Sequence, residues 1–139
     1  MISEGAVLAG ALGIILENGK MLLIRRGTEP YEGYLCPPGG VQEEGETLKE
    51  TVGREVNEET GLEVEVVKKL GRVRGPITGK FHTLFLCSAK GGSPRPSPPE
   101  TTDARWISYE ELPGLPIPPF IREFLDELDF RKLEGSESS

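Results

Sequence analysis

The length and charge of the chain limit the kinds of protein it can be. Its 139 residues suit one domain that buries its own core without extra cross-links. With 16 basic and 23 acidic residues the net charge is −7, which argues against a long nucleic acid as a partner. The only two cysteines, Cys36 and Cys87, lie far apart and predict packed thiols, without a disulfide framework or zinc site.

The N-terminal part of the chain predicts a β-hairpin. Two apolar runs, residues 6–16 and 20–26, flank Asn18 and Gly19, and an Asn-Gly pair is a strong signal for a tight turn between antiparallel strands. The first run is too short to span a bilayer, and Glu4 precedes it where a signal peptide has basic residues. We therefore expect a cytoplasmic protein without a membrane partner.

A helix is predicted between Thr47 and Gly61. Thr47 and Glu50 have the spacing of a capping box, and glycine is the usual residue just past the end of a helix. Apolar residues recur at every fourth position between these signals and predict the buried face of the helix: Leu48, Val52 and Val56.

Three glutamates share one face of this predicted helix. Glu55, Glu58 and Glu59 are spaced i, i+3 and i+4, so their carboxylates project together beside the buried face. Like charges at this spacing repel each other unless a cation neutralises them. Carboxylate oxygens suit Mg²⁺ or Mn²⁺, and Mg²⁺ shares its coordination shell with water and substrate phosphates. The sequence therefore predicts a divalent-metal site and a substrate that carries phosphate.

The rest of the chain predicts a mixed sheet between two helices. The prolines between Gly91 and Pro99 lack the amide donors of a central strand, so we expect a surface loop there that influences which substrate is accepted. The small, polar residues 134–139 predict a frayed tail after one domain of residues 1–133. Three further strands and a second helix are predicted at residues 62–73, 81–89, 104–107 and 117–128.

The segment from Gly40 to Leu62 resembles the Nudix box, the motif of the Nudix hydrolase family. Every fixed position is present, and the resemblance extends to Pro38 and Gly39 before the box and to an Ala-Arg-Trp segment at residues 104–106. It implies the α/β fold class, as a single-domain α/β/α sandwich around a mixed sheet. The matching positions are Gly40-(x5)-Glu46-(x7)-Arg54-Glu55-Val56-Asn57-Glu58-Glu59-Thr60-Gly61-Leu62.

The resemblance also implies an activity. It implies hydrolysis of the diphosphate of a nucleoside diphosphate linked to a group X, with Mg²⁺ or Mn²⁺ as the cofactor, to a nucleoside monophosphate and phosphorylated X. The metal ligands implied by the family are the Gly40 carbonyl and the side chains of Glu55, Glu58 and Glu59. Arg54 resembles the family arginine that orients a neighbouring carboxylate, and Glu55 is the candidate base. The implied catalytic residues are thus Glu55, Arg54 and Glu58.

Three other acids are candidates at the edge of this site. Glu46 lies at the start of the predicted helix, where it either contacts the metal ligands or simply favours the helix dipole. Glu100 and Asp103 suit a surface loop. Family members often take one extra carboxylate from this region for the metal or the attacking water, and such a carboxylate could replace Glu55 as the base.

The identity of the substrate is left open between ADP-ribose and a modified nucleoside triphosphate. The run from Pro37 to Gly40 lacks the glutamine of family members that hydrolyse dinucleoside polyphosphates or RNA ends, and the Ser-Gln-Pro-Trp run of NADH hydrolases does not follow the box. Arg25, Phe81 and His82 are candidates for substrate binding, although His82 equally suits a half-buried place in the sheet. The expected partner is a small nucleotide, and a homodimer is left open.

Two interpretations from other functional classes compete with a hydrolase. A non-catalytic nucleotide sensor on the same fold typically loses a box carboxylate, whereas all of them are present here. An isopentenyl diphosphate isomerase on a Nudix-like fold needs a cysteine and histidines in a characteristic setting, and this chain has one histidine. A hydrolase is therefore the favoured interpretation.

Overall fold

The computed structural model describes residues 8–133 and has a seven-stranded mixed sheet between two α-helices. This arrangement confirms the predicted α/β class. Residues 6 and 7 of the first predicted strand, and the predicted tail at residues 134–139, lie outside the described residues. In chain order the elements are β1 (Gly10–Glu17), β2 (Lys20–Arg26), β3 (Leu35–Cys36), β4 (Gly39–Val41), α1 (Leu48–Thr60), β5 (Val64–Arg74), β6 (Phe81–Ala89), β7 (Thr101–Ser108) and α2 (Pro119–Glu127), with short 3₁₀ helices at Tyr109–Gly114 and Phe130–Lys132.

The elements differ from the predictions mainly where their ends depend on distant partners. Strand β7 begins at Thr101 instead of residue 104, because it pairs along the whole of β2. Helix α2 begins at Pro119 instead of residue 117, since proline is tolerated only in the first turn of a helix. Strands β3 and β4 are absent from the prediction, because two or three residues carry no recognisable alternation.

Strand β1 lies at the centre of the sheet. It runs parallel to β6, pairing Gly10 with His82, and antiparallel to β2 and β4. Gly10 also pairs with Val41 of β4, so β4 and β6 flank the same residue on its two edges. The strand order is β3-β2-β1-β6-β5, and β7 pairs with β2. The β4 glycines and the start of β6 therefore meet at one end of β1.

Each face of the sheet packs against one helix. On one face α1 contributes Val52 and Val56, both fully buried, to a cluster with strand residues such as Ile15. On the other face α2 contributes Ile121 and Leu125 to a larger cluster. Each such side chain stabilises the fold by about 1.5–3 kcal/mol when it leaves water. The buried face of α1 thus orients the rest of that helix, including its glutamates.

Both ends of α1 carry the predicted caps. The Thr47 hydroxyl accepts a hydrogen bond from the Glu50 amide (3.1 Å), and the Glu50 carboxylate accepts one from the Thr47 amide (2.9 Å). At the other end Gly61 has φ +78°, and its amide donates to the Asn57 carbonyl (2.8 Å). Local sequence therefore sets where α1 begins and ends.

Both cysteines are buried free thiols, as predicted. Burial raises the pKa of Cys36 and of Cys87 to about 12, so both thiols stay neutral at physiological pH. Within residues 8–133, no helix is long and apolar enough to cross a membrane.

Substitution of Gly53 in α1 and of Gly61 at its C-terminal cap should change the stability of the protein in opposite directions. Gly53 lies in the helix interior with open space where a Cβ would be, so Gly53→Ala should stabilise the protein by about 0.5–1 kcal/mol. Gly61→Ala should destabilise it by about 1–2 kcal/mol, because the left-handed conformation crowds a Cβ. Urea denaturation at neutral pH measures both changes. An unchanged midpoint for Gly61→Ala would contradict the assigned helix end.

Candidate active site

The Arg54 side chain joins three glutamates of α1 and the segment before it. Its Nε and Nη2 donate to the two Glu46 carboxylate oxygens at 2.8 and 3.0 Å. Its Nη1 donates to Glu55 at 2.7 Å and contacts Glu58 at 3.3 Å, while Nη2 also reaches the Val41 carbonyl at 3.2 Å. Only a planar guanidinium offers donors in this fork geometry. These hydrogen bonds, the strongest from Glu46, raise the pKa of Arg54 above its usual value.

Glu46 is fully engaged by protein groups. The Arg54 hydrogen bonds lower the pKa of Glu46 to about 2, and the Glu43 amide and the Thr51 hydroxyl also donate to this carboxylate, at 2.9 and 2.8 Å. With both oxygens occupied, Glu46 has little capacity left for a metal ion. Glu46 is therefore linked to Glu55 through Arg54, and its role at a metal site stays a prediction.

Gly40 of β4 lies directly against the Glu55 carboxylate. A Cβ built on Gly40 would be 2.5 Å from the carboxyl carbon of Glu55 and 2.6 Å from one oxygen, so any other residue would displace this side chain. Burial raises the pKa of Glu55, and the Arg54 hydrogen bond opposes that shift. The structure therefore brings together Gly40 and Glu55, two of the residues expected to bind a metal.

Glu59 lies deeper, on the same side of α1. Its Oε1 accepts a hydrogen bond from the Gly39 amide at 2.7 Å. Burial raises the pKa of Glu59 to about 8, because the Gly39 hydrogen bond does not offset the lost hydration and the charges of Glu55 and Glu100 add repulsion. A metal ion bound beside Glu59 would therefore stabilise its ionised form and lower its pKa again.

The oxygen donors at this site suit a hard divalent ion. Among residues 8–133, no three acidic, histidine or cysteine side chains form a ready-made metal cage. Mg²⁺ typically takes only a few protein oxygens and completes its shell with water and substrate phosphates. The available donors are the Gly40 carbonyl oxygen and the carboxylate oxygens of Glu55, the partly buried Glu59 and the half-exposed Glu58. These residues fit Mg²⁺ or Mn²⁺.

Of the two loop acids, only Glu100 comes near the box glutamates. Its negative charge raises the pKa of both Glu55 and Glu59, and its backbone carbonyl accepts from the Gly27 amide at 2.8 Å. Asp103 instead accepts from the adjacent Ala104 amide, within β7. The sequence made Glu100 and Asp103 equal candidates for an extra carboxylate at the site, and the structure favours Glu100.

An apolar pocket opens beside Glu59 and the β4 glycines. Its volume is about 210 Å³. The pocket combines residues from β2, β6, α2 and the loops between strands, which meet at the end of β1. Its polar and aromatic lining includes Arg26, Tyr31, Glu59, His82 and Phe120.

The three candidates for substrate binding are divided by this pocket. His82 lines it, whereas Arg25 and Phe81 are not among the lining residues. Arg25 donates to the Gly33 carbonyl at 2.7 Å, and the Arg72 guanidinium lies 4.2 Å above the exposed Phe81 ring. Side chains alternate between the two faces of a strand, so the direct neighbours of Arg25 and Phe81 face the pocket instead.

Several residues that line the pocket are absent from the sequence-based predictions. Arg26 could have been found from the alternation along β2, because it shares a strand face with Ile24, which also lines the pocket. Tyr31 and Phe120 carry no such signal. They lie in a loop and at the start of α2, and their rings come within 6.1 Å of each other only through the fold.

His82 has an unusual environment for a polar side chain. Its Nδ1 is buried without a hydrogen-bond partner among the described residues, and a Cβ on Gly10 would be 2.0 Å from this atom. Burial, and to a smaller extent the charge of Lys80, lowers the pKa of His82. The imidazole is therefore neutral at physiological pH and packs over the Gly10 backbone.

Comparison with known proteins identifies the family. A family model described as the NUDIX domain matches residues 7–128. The chain belongs to the Nudix family. This confirms the resemblance found in the box from Gly40 to Leu62.

Individual Nudix relatives match most of this chain. An ADP-ribose pyrophosphatase of Methanocaldococcus jannaschii is 36% identical over 108 residues, which are 75% of this chain and 62% of the relative. NudC of Chromobacterium violaceum, a NAD-capped RNA hydrolase, is 33% identical over 108 residues, 78% of this chain but 41% of the relative. The chain thus spans less than half the length of the NudC relatives that it matches. The crystal structure of the MutT protein from Methanosarcina mazei Go1 has a TM-score of 0.76 at 27% identity and covers 96% of this chain and 99% of its own.

The raised pKa of Glu59 predicts a pH-dependent effect of Glu59→Gln in the metal-free protein. A group whose pKa rises on folding contributes stability below its unfolded pKa, and this contribution is lost as the pH rises through about 8. Glutamine avoids the loss and still accepts from the Gly39 amide. With EDTA present, the free energy of unfolding of Glu59→Gln relative to the parent should increase as the pH rises from 5 to 9, by on the order of 1–2 kcal/mol.

Thermal unfolding across this pH range measures the difference, with the exposed-acid variant Glu44→Gln as the control. If the parent and Glu59→Gln were separated by the same margin at every pH, the Glu59 carboxyl would not be desolvated as described.

Proposed function

We propose that the protein is a Mg²⁺-dependent pyrophosphohydrolase that cleaves the diphosphate of a nucleoside diphosphate linked to X. The products are a nucleoside monophosphate and phosphorylated X. One observation carries the proposal: two partly desolvated carboxylates, Glu55 and Glu59, adjoin the β4 glycines beside a pocket of about 210 Å³. Membership of the Nudix family supports the same reaction class.

The metal would be held by the Gly40 carbonyl, Glu55, Glu59 and, at the solvent side, Glu58. A bound Mg²⁺ or Mn²⁺ neutralises phosphate charge and lowers the pKa of water. Arg54 is placed to keep the Glu55 carboxylate in one orientation, and Glu46 in turn holds Arg54. This chain of hydrogen bonds supports a positioning role for Arg54 and Glu46.

Glu55 is our candidate for the general base. Burial raises the pKa of Glu55 above its ordinary value, which makes its carboxylate a stronger proton acceptor. As the water oxygen bonds to phosphorus, the bond from phosphorus to the bridging oxygen breaks, and the water proton passes to Glu55. The departing phosphate keeps the bridging oxygen. Glu100, whose charge reaches both Glu55 and Glu59, remains the alternative base.

ADP-ribose is our first choice of substrate. The similarity to the Methanocaldococcus jannaschii ADP-ribose pyrophosphatase supports it, as does a pocket with an arginine, Arg26, and the rings of Tyr31 and Phe120. A modified nucleoside triphosphate is the second candidate, since it carries the same phosphate anhydride and the sequence left it open beside ADP-ribose. A non-catalytic sensor is less well supported, since the box acids and Arg54 form a connected network.

Product analysis tests the reaction class and the roles of the box acids together. With Mg²⁺, the parent should release AMP and ribose 5-phosphate from ADP-ribose. Glu55→Gln and Glu58→Gln each remove charge without changing side-chain volume, and each should lower kcat at least about 100-fold. Glu44→Gln is the matched control on an exposed acid.

The comparison should include NDP-sugars, dinucleotides and ordinary or oxidised nucleoside triphosphates as substrates. Tight binding of one of them without turnover would favour the sensor. Turnover of Glu58→Gln at the parental rate, at saturating Mg²⁺, would remove this residue from the metal site.

The two faces of β6 provide a matched test of the pocket. His82→Ala should raise KM for ADP-ribose roughly tenfold, the equivalent of one lost hydrogen bond or ring contact, with a smaller change in kcat. Phe81→Ala changes the adjacent residue, which does not line the pocket, and KM should stay within about twofold. Equal effects of the two variants in steady-state kinetics would show that the substrate does not enter this pocket.

A further inference from the structure

Thr101 is a fully buried polar residue at the junction between the proline-rich loop and β7. Its hydroxyl accepts a hydrogen bond from the Ser97 amide at 2.6 Å and donates one to the Glu59 carbonyl of α1 at 3.2 Å. Its own amide donates to the Ser97 carbonyl at 3.1 Å. One hydroxyl therefore connects the end of the loop to the backbone of a residue expected to bind the metal.

The proline-rich loop rests on the C-terminal end of α1. The Arg95 amide donates to the Thr60 carbonyl at 2.8 Å, and the Arg95 guanidinium would be 3.3 Å from a Cβ on Gly61. A cation at this end of a helix interacts favourably with its dipole and its last carbonyls. None of residues 91–99 lines the apolar pocket, and the influence of this loop on substrate choice stays a prediction.

Glu100 is held on its other side by Gly27, the residue that follows β2. The Gly27 amide donates to the Glu100 carbonyl at 2.8 Å, and a Cβ on Gly27 would be 1.9 Å from the Pro99 carbonyl oxygen. This close approach requires glycine at position 27. The backbone of Glu100 is thus fixed between Gly27 and Thr101, directly beside the residue whose hydroxyl binds the Glu59 backbone.

We propose that Thr101 is a positioning residue, whose hydroxyl ties the segment that carries Glu100 to the Glu59 backbone of α1 and so holds the Glu100 carboxylate at a set distance from the α1 glutamates. The inference rests on the proposed function, and it assigns the loop a role in the chemical step. Holding the loop in place costs little further conformational entropy, because its prolines already restrict the backbone and Thr101 is already buried. Small displacements of a group at the reacting centre are costly, since rates fall steeply with misplacement.

A pair of substitutions separates the hydroxyl from the shape of Thr101. Thr101→Val keeps the shape and removes both side-chain hydrogen bonds, whereas Thr101→Ser keeps the hydroxyl. With ADP-ribose and Mg²⁺, Thr101→Val should lower kcat roughly 10- to 100-fold while KM changes less than about threefold. Thr101→Ser should retain most of the parental kcat. A loss shared equally by Thr101→Ser and Thr101→Val would overturn the inference.

A double mutant tests whether Thr101 acts through Glu100. Adding Thr101→Val to Glu100→Gln should lower kcat no more than about twofold further, because the positioned carboxylate is already gone. If the two losses multiply in full, Thr101 does not act through Glu100 and the inference is wrong.

Binding of Mn²⁺ alone provides a readout that needs no turnover. Measured by electron paramagnetic resonance of free Mn²⁺, the affinity should fall about tenfold in Thr101→Val and little in Thr101→Ser. Parental affinity in Thr101→Val would overturn the inference even if ADP-ribose proves a poor substrate. An inactive parent would instead overturn the proposed function, so the two failures are distinguishable.

A second variant covers the case in which Thr101→Val does not fold. Ser97→Pro, at an exposed position, removes the amide that donates to the Thr101 hydroxyl. It should reproduce the loss in kcat, whereas Ser93→Pro, at an exposed position of the same loop, should not. Parental kcat in a folded Ser97→Pro protein would count against the inference.

Discussion

The Arg54 guanidinium is the interaction on which the arrangement of the acidic site depends. It bridges Glu46, Glu55 and Glu58, and it reaches the Val41 carbonyl of β4. One planar cation thereby links the loop before α1, the acidic face of α1 and the strand that carries the close-packed glycines. Without this charge the carboxylates would repel one another in a poorly hydrated space. The Arg54 hydrogen bond fixes the orientation of the Glu55 carboxylate and opposes the rise in its pKa that burial causes.

The site keeps some electrostatic cost that Arg54 does not cancel. Glu59 lies beyond the Arg54 fork, and its charge is supported by the Gly39 amide and by the positive charge of Arg26, which together do not offset its burial. The packing of α1 offsets this cost, because Val52 and Val56 are fully buried against the sheet and both helix ends are capped. A cation that binds here should stabilise the folded protein, because it neutralises the repulsion between the carboxylates that the fold brings together.

The topology of the sheet explains why the β4 glycines, His82 and the α1 glutamates lie at one end of the molecule. The central strand β1 has β4 on one edge and β6 on the other at Gly10, so the glycines at 39 and 40 and the His82 ring face a common space. The loop from Gly91 to Pro99 then returns to the end of α1, where the Thr101 hydroxyl joins it to the Glu59 backbone. Three segments distant in the chain therefore converge on the same carboxylates.

The sequence by itself determined the features that depend on short-range periodicity. The apolar repeat, the capping box and Gly61 predict α1 almost to the residue, and the spacing of the box places Glu55, Glu58 and Glu59 on one helix face. Only the tertiary structure decided that His82, and not its strand neighbour Phe81, faces the pocket. It also decided that Glu100, and not Asp103, approaches the glutamates. These choices depend on hydrogen bonds and strand pairing between residues far apart in the chain, which local patterns do not encode.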